Sequence, residues 1–238
     1  MSYAETVAAG RGAPPPFLDR RFDADGRALP DPGCTVIGHV ARGPVHAALV
    51  AARDRLGSAP AGACFAWLPP ASYHMTIFDG LLYSRRSPGF WPGALDAAAT
   101  EGEAEAFVVE RIAPLRPEGG TRFRMVPQAL EPAPNGAGLW VRLAAAEAAE
   151  ERRIRAFRDA CAAALGLADR PGHRDYRFHI TLAYAIGWPD EAAARAFDAA
   201  LDEADARLRR EAALFEIGPP ELCRFADMTR FDPIEILR

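Results

Sequence analysis

The sequence predicts an α+β fold built mainly from antiparallel sheet, and three observations carry that prediction. Short β-branched and aromatic runs are interspersed with Ala-rich amphipathic stretches, but without the regular strand–helix alternation of a parallel sheet. Thr121–Leu130 and Gly138–Leu143 are apolar, strand-like runs on either side of the turn segment Pro132–Gly136, which reads as a hairpin. A His–hydrophobic–Thr–hydrophobic pattern occurs twice, as His74-Met75-Thr76-Ile77 and His179-Ile180-Thr181-Leu182, each time inside a strand-like run.

Taken in order, residues 1–20 are small, polar and Pro-rich (Pro14-Pro15-Pro16) and read as a poorly ordered arm, leaving 21–238 as one domain. Asp23–Gly33 is turn material. Cys34–Val40 is a β-branched run and reads as a buried strand. Gly43-Pro44 opens a helix that runs to about Leu56, with Pro at a first helical position and Gly57 after the end. Ala63–Leu68 is a strand stopped by Pro69-Pro70, and Tyr73–Phe78 is the first motif strand. Leu81–Thr100 is irregular, with Ser87-Pro88-Gly89 and Trp91-Pro92-Gly93; it is a candidate rim or lid, with a plain surface loop the simpler reading. Glu103–Ile112 has helical spacing. After the hairpin, Glu147–Leu165 is an amphipathic helix closed by Gly166. Asp169–Asp175 is a loop, Arg177–Tyr184 the second motif strand, and Asp190 to about Arg210 another Ala-rich helix. Ala213–Ile217, Leu222–Phe225 and Ile234–Leu237 read as short closing strands.

Composition narrows the function classes. The 238 residues are half hydrophobic and one quarter charged, as in globular domains. The net charge of −4 gives no support for binding long nucleic acid, although a local basic patch would suffice for a small phosphorylated ligand. Every basic side chain is Arg; with no lysine, a P-loop lysine and a Schiff-base lysine are excluded. Cys34, Cys64, Cys161 and Cys223 form no C-x-x-C pair and read as small hydrophobes in a reducing compartment. The N-terminus lacks the apolar core of a secretory signal, and no apolar run has membrane-spanning length. A cytoplasmic monomer without a membrane partner is the expectation. No G-x-S-x-G or H-E-x-x-H occurs, which disfavours a serine hydrolase and a zinc protease.

The two motifs carry the chemistry. Residues i and i+2 of a strand share a face, so each His lies beside its Thr while the intervening hydrophobics point into the core. One such pattern is common in half-buried strands. Two, in different halves of the chain, are the raw material of a two-histidine acid–base site. Strand alternation adds Arg177 to the face of His179 and Thr181. It also puts Arg122 with Arg124 and Trp140 with Arg142. If the hairpin floors a cleft, Arg124 could hold a phosphate and Trp140 could stack a base. His39 reads as structural; His46 and His173 carry no assigned role.

The paired motifs resemble those of the two-histidine (2H) phosphoesterase superfamily, which includes RNA cyclic phosphodiesterases and 2′-5′ RNA ligase-like proteins. The segment from Phe22-Asp23-Ala24-Asp25-Gly26 through Thr35-Val36-Ile37-Gly38-His39 to Tyr73-His74-Met75-Thr76 is similar to a bacterial branch known only as a domain of unknown function. The resemblance implies two pseudo-symmetric lobes of sheet with helices outside and the motif strands at a central cleft. It implies His74 and His179 as acid and base and Thr76 and Thr181 as phosphate ligands, with no cofactor and no metal. The implied reaction is hydrolysis of a cyclic phosphate or 2′-5′ phosphodiester in a small nucleotide or an RNA end. A non-catalytic module on the same fold, binding a nucleotide or RNA end, is the alternative.

Overall fold

The computed structural model describes residues 1–238. The N-terminus corrects the sequence reading. Tyr3–Gly10 form helix α1 in place of a poorly ordered arm. Ser2 Oγ accepts from the Glu5 amide at 3.1 Å, and Glu5 accepts from the Ser2 amide at 2.7 Å, closing a capping box. Eight residues are too few for a helix to persist alone in water. Here Tyr3 and Val7 are buried, and the Asp198 carboxylate accepts from the Tyr3 and Ala4 amides at 2.6 and 3.1 Å.

The remaining elements follow the expected order. They are β1 (Gly33–His39), α2 (Pro44–Gly57), β2 (Phe65–Trp67), β3 (His74–Leu82), α3 (Glu101–Ile112), β4 (Phe123–Pro132) and β5 (Gly138–Ala145). Then come α4 (Ala148–Ala164), β6 (His179–Ala185), α5 (Glu191–Glu211), β7 (Phe215–Ile217), β8 (Glu221–Phe225) and β9 (Asp232–Ile236). Local chemistry sets the helix starts: Pro44 opens α2, Thr100 and Glu103 form a capping box on α3, and the Asp190 carboxylate caps α5.

All strands pair antiparallel in one sheet of order β7-β4-β5-β6-β3-β1-β8-β9, with β2 added beside β6. This order is symmetric about the β6–β3 seam. Outward from the seam, β5 matches β1, β4 matches β8 and β7 matches β9, so two four-strand halves meet at the motif strands. Met75, Ile77, Ile180 and Leu182 are all buried, as the alternation of each motif required, and so is Phe178 just ahead of β6. Helix α4 packs on β3, β4 and β5, α3 on β1 and β8, and α5 on α1, α2 and β4. The opposite face of the two central strands is left for a cleft. No helix is long and apolar enough to cross a membrane.

Candidate active site

The two motif strands touch through one backbone pair, Met75 opposite Ile180. In an antiparallel register that pair fixes its neighbours: His74 lies across from Thr181, and Thr76 across from His179. All four have the opposite parity to Met75 and Ile180 and so share the uncovered face. The histidines are diagonal neighbours, a relation that spaces residues by roughly 7–8 Å. His74, Thr76, His179 and Thr181 all line one cleft of about 240 Å³.

Each histidine is held in the same way. The Nδ1–H of His74 donates to the Ser72 carbonyl at 2.7 Å, and that of His179 to the Arg177 carbonyl at 2.7 Å. A carbonyl can only accept, so the tautomer is fixed and Nε2 is the free nitrogen of both rings. Each ring also has an aromatic backing. Phe231 lies 4.2 Å from His74 and Trp140 lies 4.3 Å from His179, between ring centroids. Burial lowers the His74 pKa to about 4, with the nearby His39 and His179 adding to the effect against the Ser72 carbonyl. Burial lowers His179 as well, against the Arg177 carbonyl and Asp79. Both rings are therefore hard to charge in the free protein.

Beyond the motifs, both strands break their alternation at equivalent places. In β3, Val36 pairs with Phe78 and Ile37 with Thr76, so Ile77 is an extra residue. In β6, Trp140 pairs with Thr181 and Leu139 with Ala183, so Leu182 is extra. Each bulge flips the strand's parity. It brings Asp79 and Tyr184, each five residues after its His, onto the cleft face. The fully buried Arg158 of α4 serves the first bulge, donating to the Ile77 carbonyl at 2.8 Å and to Asp79 at 2.9 Å. Tyr184 accepts from Arg21 at 3.1 Å, and Arg21 pairs with Asp31 at 3.1 Å. Tyr176 stacks under Arg158 at 3.9 Å and places its hydroxyl beside Thr76. Strict alternation counted from His179 puts Tyr184 on the core face and gives no reason to single out Asp79. Only a bulge signal at Ile77 or Leu182 could have recovered either; the glycine inside β3, Gly80, lies three residues past Ile77, and β6 contains none.

Of the weaker candidates, none lines the cleft. Arg124 is exposed on β4, two strands away from β6, and its guanidinium pairs with Glu147. Arg177 is also exposed. It precedes the start of β6, where strand parity does not apply, and its side chain lies in a separate groove with Arg142 and Arg155. Trp140 does sit beside the site, but it is only 9% exposed, with its ring against His179 and its Nε1–H donating to Glu131 at 3.2 Å. It supports the imidazole and has no free face for a base. The cations that line the cleft are Arg21, Arg85 and Arg170. Arg85 comes from the irregular segment after β3, so that segment forms part of the rim.

The other histidines are engaged elsewhere: His39 with Glu221 at 2.7 Å, His46 with the Pro70 carbonyl at 3.1 Å, and His173 with Asp159 at 2.7 Å. The cluster of three or more metal-capable donors is His39, Glu221 and Cys223, and it includes neither His74 nor His179.

A family model described as 2H-phosphodiest, a domain of unknown function (DUF1868), matches residues 21–133. A crystal structure of a conserved protein of unknown function from Agrobacterium tumefaciens is 30% identical. It superposes with a TM-score of 0.86 over 95% of this chain and 94% of that one. The chain belongs to the two-histidine phosphodiesterase family. The protein TT0787 of Thermus thermophilus, 20% identical over 66% of this chain and 76% of that chain, has a TM-score of 0.43. No curated protein matches. The two-histidine model ends before the second motif. What joins His179 and Thr181 to the matched half is the backbone pair between β3 and β6 and the cleft they share.

Proposed function

We propose that this protein is a phosphodiesterase that hydrolyses a cyclic phosphate or a 2′-5′ phosphodiester of a small nucleotide or RNA end. The observation that carries this reading is the register at the seam. It sets two imidazoles diagonally across one face, each with Nε2 free and each opposite the other motif's threonine. A phosphodiester lying between the rings meets a base on one side and an acid on the other. One neutral imidazole takes a proton from water at Nε2 as the water oxygen bonds to phosphorus. The other, charged, gives its Nε2 proton to the leaving oxygen as that P–O bond breaks. The histidines end with their protonation states exchanged and reset through solvent. The Thr76 and Thr181 hydroxyls donate to the non-bridging oxygens, where charge builds in the transition state. The anionic phosphate favours the charged form of a nearby ring, offsetting the burial that disfavours it.

This scheme routes every proton through imidazole and asks for no metal ligand, in keeping with the position of both histidines outside the donor cluster. The family name supports phosphodiester chemistry. The net charge of −4, with Arg21, Arg85 and Arg170 lining the cleft, favours a small ligand over long nucleic acid, and we take the acting unit to be a monomer. The test is a panel of nucleoside 2′,3′-cyclic phosphates, 2′-5′ dinucleotides and ADP-ribose cyclic phosphate, assayed with and without EDTA. Turnover of at least one, unchanged by the chelator, is expected. Activity lost in EDTA and restored by zinc or manganese would overturn the mechanism. Binding without turnover across the panel would favour the binding-module alternative.

A further inference from the structure

We propose that the cleft contains a second phosphate site, formed by Arg85 and Arg170. The substrate would then carry a phosphate monoester in addition to the phosphodiester that reacts. The identity of the reacting group rests on the phosphodiesterase reading above; the second site stands on its own geometry. Arg85 lies in the segment after β3 and Arg170 in the loop between α4 and β6, and both line the cleft that holds the four motif side chains. One ring holds both guanidinium groups: the Arg85 carbon lies 3.2 Å and the Arg170 carbon 5.3 Å from the Phe90 centroid. Arg170 is further fixed by donating to the Gly80 carbonyl at 2.8 Å. Gly80 has φ +59°, and a Cβ there would come within 2.1 Å of the Cys34 carbonyl oxygen, so the anchoring backbone tolerates no side chain.

Neither arginine has a carboxylate partner. Asp79, the acid beside them, is already bonded to Arg158 at 2.9 Å. Arg85, Arg158 and Asp79 all lie close to Arg170, and burial together with the two neighbouring guanidinium charges lowers the Arg170 pKa. Like charges held in a partly buried cleft are unfavourable until an anion neutralises them. A phosphate monoester brings nearly two charges and three acceptor oxygens, which suits two guanidinium forks better than a carboxylate does. The site is distinct from the reacting position. The strand from Thr76 to Gly80 separates them by on the order of 10 Å at ~3.3 Å per residue, more than one phosphate spans and within reach of one nucleotide.

Calorimetric titration of the full chain with adenosine 2′-monophosphate and adenosine 2′,5′-bisphosphate tests the proposal. The bisphosphate is expected to bind tighter by on the order of 10- to 100-fold, as for one charge-assisted contact. That ratio should fall towards one in Arg85→Gln, an exposed position where the fold is not at stake, and in Arg170→Gln. Equal affinities in the wild type, or a preference that survives both substitutions, would overturn the second site. An arginine-dependent preference without cleavage of any diester would uphold the site and sink the phosphodiesterase reading. Diester cleavage with no bisphosphate preference would do the reverse.

Discussion

At His74 and His179 a backbone carbonyl two residues upstream takes the Nδ1 proton, so the two rings present the same nitrogen to the cleft. Burial then sets the pH at which either can act. A lowered histidine pKa means that the neutral form dominates at pH 7 and that the charged acid is scarce in the free protein. kcat/KM reports free-protein pKa values and kcat those of the complex. With His74 at about 4 and His179 also depressed, kcat/KM should peak below the ordinary histidine value of about 6.5 and fall as pH rises. The bound phosphate raises both pKa values, so kcat should hold to higher pH. Rate profiles in both parameters check this; a kcat/KM optimum at higher pH than the kcat optimum would contradict it. At this scale the sequence was readable where alternation held: both His–Thr pairs came from spacing alone. Arg177 failed because its backbone precedes the strand, and Arg124 because parity names a face without saying which strands border the cleft. Asp79, Tyr176 and Tyr184 were hidden by bulges and by loop chain that has no period.

Among the elements, the paired bulges and helix α1 were the least legible. A bulge is one extra residue in one strand and appears only in the register against its partner. Helix α1 carried its Ser2–Glu5 capping signal openly, but the Pro- and Gly-rich residues after it masked the signal, and the Asp198 cap comes from a helix nearly two hundred residues away. If α1 is part of the packed domain, Tyr3→Ala should cost about 3–5 kcal/mol, as for other large buried aromatics. Tyr3→Phe should cost almost nothing, because the Tyr3 hydroxyl is buried without a partner. Urea unfolding of the three proteins measures both. A near-zero cost for Tyr3→Ala would mean that the arm is detachable after all.

Across the whole molecule, the strand order is symmetric about the β6–β3 seam, and that symmetry turns two separate tetrapeptides into one site. The α+β class, the hairpin and nearly every helix were legible from periodicity and caps. The seam was not, because a single backbone pair between strands a hundred residues apart leaves no local trace. Charge is organised at the same scale: an acidic molecule keeps Arg21, Arg85 and Arg170 at one cleft. The central claim is that the two imidazoles act as a unit on one phosphorus. Single-turnover cleavage of a nucleoside 2′,3′-cyclic phosphate by His74→Ala, His179→Ala and the double variant tests it most directly. Groups that act together are non-additive, so each single variant should lose nearly as much rate as the double one while still binding the nucleotide. A single variant that cleaves at close to the wild-type rate, or losses that simply multiply in the double variant, would contradict it.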